Sequence, residues 1–203
     1  MVKKPQKHHY VTSRRANKIS FLFSVLLFFA IMFYFVVIRG QPFDFAFINR
    51  AFAIGAVFLI GASYLLGPLA RFAWKTFSTK LEYRKPLGLY GFLFAIIHIL
   101  LSLLIVPAAT LGSNGLSLFF GMIAILIFTL VASTSIVKIE AHGFDRWQKI
   151  QRTGYLAFLL VILHIVILEN GQFIGRQIGQ LTLIFAALVL LARLLVLVFP
   201  KKK

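Results

Sequence analysis

Cysteine is absent from the 203 residues. No disulfide, thiolate metal site, iron–sulfur cluster, redox thiol or c-type haem linkage can therefore form within this chain. Acidic side chains are almost as scarce: Asp44, Glu82, Glu140, Asp145 and Glu169 are the full set, and none stands in the middle of an apolar run. Ion pumps and proton relays rely on carboxylates inside the membrane, so that class is poorly supported. No glycine-rich phosphate loop and no hydrophilic nucleotide-binding segment occurs. Apart from Pro5 in the N-terminal tail, the prolines (Pro42, Pro68, Pro86, Pro107 and Pro200) lie at or near the ends of apolar runs, where a missing N–H costs a helix little.

What remains is overwhelmingly apolar. Sixty per cent of the residues are hydrophobic and only 13% charged, with a mean hydropathy of +0.91, against about a quarter charged in soluble domains. Six runs are long enough to cross a ~30 Å hydrocarbon layer as helices: Ile19 to Ile38, Arg50 to Leu69, Leu87 to Val106, Leu116 to Val137, Thr153 to Leu168 and Ile178 to Phe199. None alternates polar and apolar residues as a membrane barrel would, which leaves helices as the spanning structure. The expectation is an all-α integral membrane six-helix bundle over residues 19–199, with a basic tail over 1–18 and a lysine tail over 200–203. The first run follows Arg14, Arg15 and Lys18 as a signal peptide would. Its length and the Arg39-Gly40-Gln41-Pro42 sequence after it, with no small-x-small cleavage pattern, make it an uncleaved helix.

A net charge of +17 and a pI near 10.8 would suggest nucleic acid in a soluble protein. Here all but four of the 22 lysines and arginines (Arg39, Arg50, Arg176 and Arg193) lie before span one, between spans two and three, between four and five, or after six. That is the positive-inside pattern, which puts both termini in the cytoplasm. Topology and attraction to anionic lipid absorb the charge, so no nucleic-acid partner is expected. Arg193, about two turns inside span six, can snorkel toward the lysine-rich end.

Two ionisable side chains break the apolar pattern. His98 lies eleven residues into span three and His164 eleven residues into span five. Both spans run outward, so both imidazoles are expected at mid-depth, about 16 Å from the inner edge. An ionisable group inside a bilayer is expensive and is a functional candidate by default. Two neutral imidazoles with no thiolate or carboxylate nearby do not complete a zinc site. A haem supplies four nitrogens to its own iron and asks the protein for one or two axial ligands. Bis-histidine haem b, one per chain, is the economical reading, with each ring donating its other N–H to a carbonyl one turn back, at Phe94 and Leu160. Gly91, Ala95 and Ser102 near His98, and Gly154 and Ala157 near His164, are small at helical spacing. They leave room for a macrocycle or, equally, allow close helix packing.

Arg84-Lys85-Pro86-Leu87-Gly88-Leu89, the following His98, the Ser133-Thr134-Ser135 end of span four, and Trp147-Gln148 leading to Arg152, Tyr155 and His164 together resemble the ferric reductase-like transmembrane domain superfamily. The likeness runs over roughly residues 69–169. It is strongest to haem-binding membrane subunits of bacterial periplasmic methionine-sulfoxide reductase systems. The resemblance implies a six-helix bundle in the bacterial inner membrane, with haem b between spans three and five. It further implies electrons from quinol or a flavin reductase, delivered to a periplasmic molybdopterin reductase or to ferric iron on the outer face. Where many members carry a further haem-ligating histidine before the arginine, this chain has Gln151. That departure brings it nearer to single-haem members such as the six-transmembrane metalloreductases. Arg84, Lys85 and Arg152 stand at the inner ends of spans three and five. They are candidates to hold the phosphate of FMN or a quinone headgroup, or serve only as topology charge. Arg50 is a candidate partner for a haem propionate or an interfacial anchor. His142 reads as a solvated loop histidine, and His8 and His9 belong to the basic tail. The competing class is a non-redox multi-pass protein, a small transporter or assembly factor, that uses the two histidines for packing.

Overall fold

The computed structural model describes residues 13–105, 115–136, 143–168 and 173–199. His8, His9, His142 and the lysine tail lie outside them. Six helices are long and apolar enough to cross a membrane. They are α1 (Arg14–Phe33), α2 (Phe45–Phe72), α3 (Arg84–Ile105), α4 (Gly115–Ile136), α5 (Phe144–Ile167) and α6 (Gln177–Val198). A π-helical turn, Tyr34–Ile38, prolongs α1, and a short helix, Trp74–Phe77, with a 3-10 turn, Ser78–Tyr83, joins α2 to α3. No strand occurs among the described residues. We call the end where α1, α3 and α5 begin the proximal end, and the opposite end distal.

Each helix covers most of its apolar run, but three start well before it, α1 at Arg14 by five residues. Asp44 caps α2, its Oδ1 accepting from the Phe47 N–H at 2.8 Å, so the helix begins five residues ahead of Arg50. α5 begins at Phe144, nine residues before Thr153. Hydropathy marks where hydrocarbon lies; a helix ends where its backbone groups find other partners.

α2 is the centre of the bundle. More than half of its apolar window is buried, 56%, against 17–28% in the other five. α3 lies antiparallel along it, with Gly88 against Ser63, Gly91 against Ile60, and the Phe94 ring on Gly55. α6 packs on it through stacked Phe58 and Phe185, with centroids 4.8 Å apart. α4 and α5 form the other close antiparallel pair. The helices bearing the two histidines are thus each seated on a different neighbour. Large apolar side chains such as Phe29, Leu126 and Ile184 stay exposed on the outer faces, as lipid contact requires. Lipid tails are as apolar as leucine, so helix association depends on close van der Waals fit and interhelical hydrogen bonds. Gly91 and Gly154 serve that fit. A Cβ on Gly91 would come within 2.9 Å of the Ile60 backbone nitrogen, and one on Gly154 would collide with the Tyr64 hydroxyl. Of the two uses open to these small residues, close packing is the one the structure displays.

Candidate functional site

His98 sits in a closed ring of hydrogen bonds. The Ser102 hydroxyl donates to the His98 carbonyl one turn back, at 2.8 Å. With its proton so placed, Ser102 Oγ accepts from Asn49 Nδ2 at 2.9 Å. This fixes which end of the Asn49 amide is nitrogen and turns Oδ1, an obligate acceptor, toward His98 Nδ1 at 2.7 Å. The proton of the neutral ring therefore resides on Nδ1.

His164 reaches the same tautomer by a different route. Its Nδ1 lies 2.8 Å from the Ser117 carbonyl, which can only accept, and 2.9 Å from Ser117 Oγ. Ser117 Oγ also donates to the His164 carbonyl at 3.1 Å, binding the first turn of α4 to the last turn of α5. Gly121 lets α4 approach the ring's edge, since a Cβ there would stand 3.1 Å from Nδ1.

Both rings thus carry the proton on Nδ1 and a lone pair on Nε2, and Nε2 of neither has a hydrogen-bond partner among the described residues. No group of three or more His, Cys, Asp or Glu side chains capable of caging a metal occurs among the described residues. Two Nε2 lone pairs without a third or fourth protein donor suit an iron whose equatorial nitrogens come from a porphyrin, and do not suit a bare tetrahedral metal.

One expectation is corrected. The ring N–H groups do not turn back to Phe94 and Leu160; they reach across to the Asn49 side-chain oxygen on α2, which no helix bond uses, and to the Ser117 carbonyl in the first turn of α4. Within the bundle the site is off-centre. Asn49 is in the second turn of α2, Ser117 in the first turn of α4 and His164 in the last turn of α5. The pair therefore lies toward the distal end, and about 21 Å of helix separates Arg84 from His98.

Asn49, Ser117 and Gly121 were missed by the sequence reading. Asn49 stood one residue before the apolar run of span two and Ser117 inside span four. Polar residues close to the distal ends of two other spans were the available signal.

At the proximal end, Arg84 enters a cluster while its companions do not. A single point beside Gly67 lies 3.8 Å from an Arg84 guanidinium nitrogen and 4.0 Å from the Tyr155 hydroxyl. The Tyr155 hydroxyl donates to the Tyr64 carbonyl at 3.0 Å, the two tyrosine rings lie 4.7 Å apart, and the Arg193 guanidinium sits 5.0 Å above the Tyr155 ring. Lys85 and Arg152 are exposed and outside this group. Gln151 is committed to α4: its Nε2 lies 2.9 Å from Ser135 Oγ, 3.1 Å from the Val131 carbonyl and 3.3 Å from Thr134 Oγ1. At the distal end Arg50 lies 5.5 Å from the centroid of the Phe47 ring.

A family model described as ferric reductase like transmembrane component matches residues 52–162, more than half of the chain. The match includes His98 and stops two residues short of His164. Magnetosome protein MamZ of Magnetospirillum gryphiswaldense is 29% identical over 98 residues, 45% of this chain and 15% of that protein. MamZ of Paramagnetospirillum magneticum is 28% identical over 101 residues, 46% of this chain and 16% of that protein. The protein-methionine-sulfoxide reductase heme-binding subunit MsrQ of Klebsiella pneumoniae is 34% identical over 110 residues, 51% of this chain and 54% of that protein. The chain thus aligns with about half of MsrQ and about a sixth of MamZ.

Proposed function

Because this chain belongs to the family of ferric reductase like transmembrane components, we propose that it is a haem b-binding membrane protein that passes electrons to an acceptor at its distal end. His98 and His164 are the axial ligands in this reading. The observation that carries it is the matched tautomers: two imidazoles from separate helices, each held at Nδ1 and each with Nε2 unpartnered among the described residues. The heme-binding designation of MsrQ supports the choice of group. Haem would supply a one-electron carrier here. The protein's part is to hold two rings at one level and to give each Nδ1–H an acceptor, which raises ligand basicity and fixes ring orientation.

One haem per chain follows from the residues. The sequence contains five histidines, His8, His9, His98, His142 and His164, and the inner position that the family resemblance would give to another ligand is Gln151, whose amide is spent on α4. The donor then approaches the proximal end, which the distribution of lysine and arginine assigns to the cytoplasm. Arg84, with Tyr64, Tyr155 and Arg193, offers a cationic and hydrogen-bonding patch suited to FMN phosphate or a quinone headgroup, while Lys85 and Arg152 at the rim add attraction for an anionic donor. Quinol or a flavin reductase is the proposed donor. A periplasmic molybdopterin reductase of the methionine-sulfoxide type, or ferric iron, is the proposed acceptor across the bacterial inner membrane. The test is the dithionite-reduced absorption spectrum of detergent-purified protein made with ample haem supply. Soret and α bands at one haem per chain are expected, and His98→Ala or His164→Ala abolishes them. A colourless wild type overturns the reading, and an unaltered spectrum in both variants overturns the ligand assignment.

A further inference from the structure

Asn49 holds His98 by an acceptor that a single substitution can remove. At His164 the Ser117 carbonyl lies 2.8 Å from Nδ1 beside the Ser117 hydroxyl at 2.9 Å, and a backbone carbonyl stays in place whatever side chain stands at 117. At His98 it is a side-chain amide, locked in place by Ser102. We infer that Asn49 is a positioning residue that sets the reduction potential of the His98-ligated centre, an inference resting on the reading of His98 as an axial ligand.

Packing does not ask for an amide at position 49. The α2–α3 contact is already closed by Phe94 on Gly55, Ile60 against Gly91 and Ser63 against Gly88, and Ser63 Oγ donates to the Arg84 carbonyl at 2.7 Å. A polar side chain near the end of a membrane helix is retained for what it touches. What Asn49 touches is Nδ1, at 2.7 Å, the short end of the N–H···O range. A strong acceptor at Nδ1 makes Nε2 the better electron donor, and a better donor favours the ferric over the ferrous ligand field. Asn49 thus holds the potential below the value that an unassisted imidazole would give. Ser102 acts one bond further out: without its oxygen the amide has no fixed orientation, and part of the effect is lost.

The experiment is potentiometric titration of the detergent-purified holoprotein, followed at the α band, with electron paramagnetic resonance of the ferric form, for wild type, Asn49→Leu, Asn49→Asp and Ser102→Ala. Asn49→Leu raises the potential by at least tenfold in the reduction equilibrium, about 59 mV for one electron. Asn49→Asp lowers it, and Ser102→Ala moves it in the direction of Asn49→Leu by less. The g-values of the ferric signal shift along with the potential. Haem bound in all variants with potentials within twofold of wild type overturns the inference, leaving Asn49 as interhelical glue, and so does loss of haem from both Asn49 variants in a folded protein. Loss from Asn49→Leu alone, with a lowered potential in Asn49→Asp, supports it. A wild type without haem sinks instead the functional reading beneath, so the two failures are told apart.

Discussion

Replacing Gln151 with leucine removes the polar bolt between α4 and α5 while keeping a side chain of similar bulk. Gln151 Nε2 has two hydrogens and three acceptors in range, Ser135 Oγ at 2.9 Å, the Val131 carbonyl at 3.1 Å and Thr134 Oγ1 at 3.3 Å, so at most two bonds are made at once. Nothing is orphaned by the change: the Thr134 hydroxyl still donates to the Val131 carbonyl at 3.0 Å and the Ser135 hydroxyl at 2.8 Å. The loss is therefore that of the bonds themselves, without a penalty for stranded partners. Side-chain hydrogen bonds between membrane helices average ~0.6 kcal/mol and reach ~1.7. Two give about 1.2 kcal/mol, with a ceiling of about 3.4, or a factor of five or more in the unfolding equilibrium. Reversible unfolding by sodium dodecyl sulfate in mixed micelles, followed by far-ultraviolet circular dichroism, measures it. Thr153→Ala is the control. Thr153 Oγ1 is exposed and bonds only to the Ile150 carbonyl of its own helix, at 2.7 Å, so its change stays within about 0.5 kcal/mol. A Gln151→Leu protein as stable as wild type would refute the latch.

Gly121→Ala places a methyl group 3.1 Å from His164 Nδ1 and 3.4 Å from Cε1, so the ring must yield by a few tenths of an ångström and stretch its bond to Ser117; a shifted ferric paramagnetic signal is expected, with haem still bound. Helix propensity returns about 1 kcal/mol for Ala over Gly, so stability moves much less than the spectrum does. Gly91→Leu forces α3 off the Ile60 backbone and costs at least 1–3 kcal/mol in the same unfolding assay, whereas Gly115→Ala, with no neighbour within 4 Å, leaves stability unchanged or slightly raised. Dialysis against a metal chelator leaves the α band intact, since the iron is held by a macrocycle; a chelator-sensitive chromophore would mean a bare metal site.

The helix count was legible because each apolar run is long and weakly interrupted, and the two histidines were legible because an imidazole stands out in hydrocarbon. Their partners were not. Asn49 lies one residue outside the span drawn from hydropathy, and nothing local ties it to His98, forty-nine positions away. Small residues were ambiguous for a related reason: Gly91 and Gly154 have the same composition whether they face a cofactor or a neighbouring helix, and only the Ile60 backbone and the Tyr64 hydroxyl resolve them. Arg84, Lys85 and Arg152 looked alike as charges at helix starts, yet Arg84 alone of the three joins Tyr64, Tyr155 and Arg193.

Composition by itself determined a helical membrane protein, since a backbone in hydrocarbon has to satisfy its own hydrogen bonds and long apolar runs without alternation do so only as helices. It also determined that no thiolate could serve a metal, cysteine being absent. Tertiary structure decided which helices pair, that the histidines sit toward the distal end, and that Asn49 and Ser117 place a proton on each Nδ1. Those features depend on interhelical register, which is set by a few close contacts such as Gly91 on Ile60 and leaves no periodic trace along the chain.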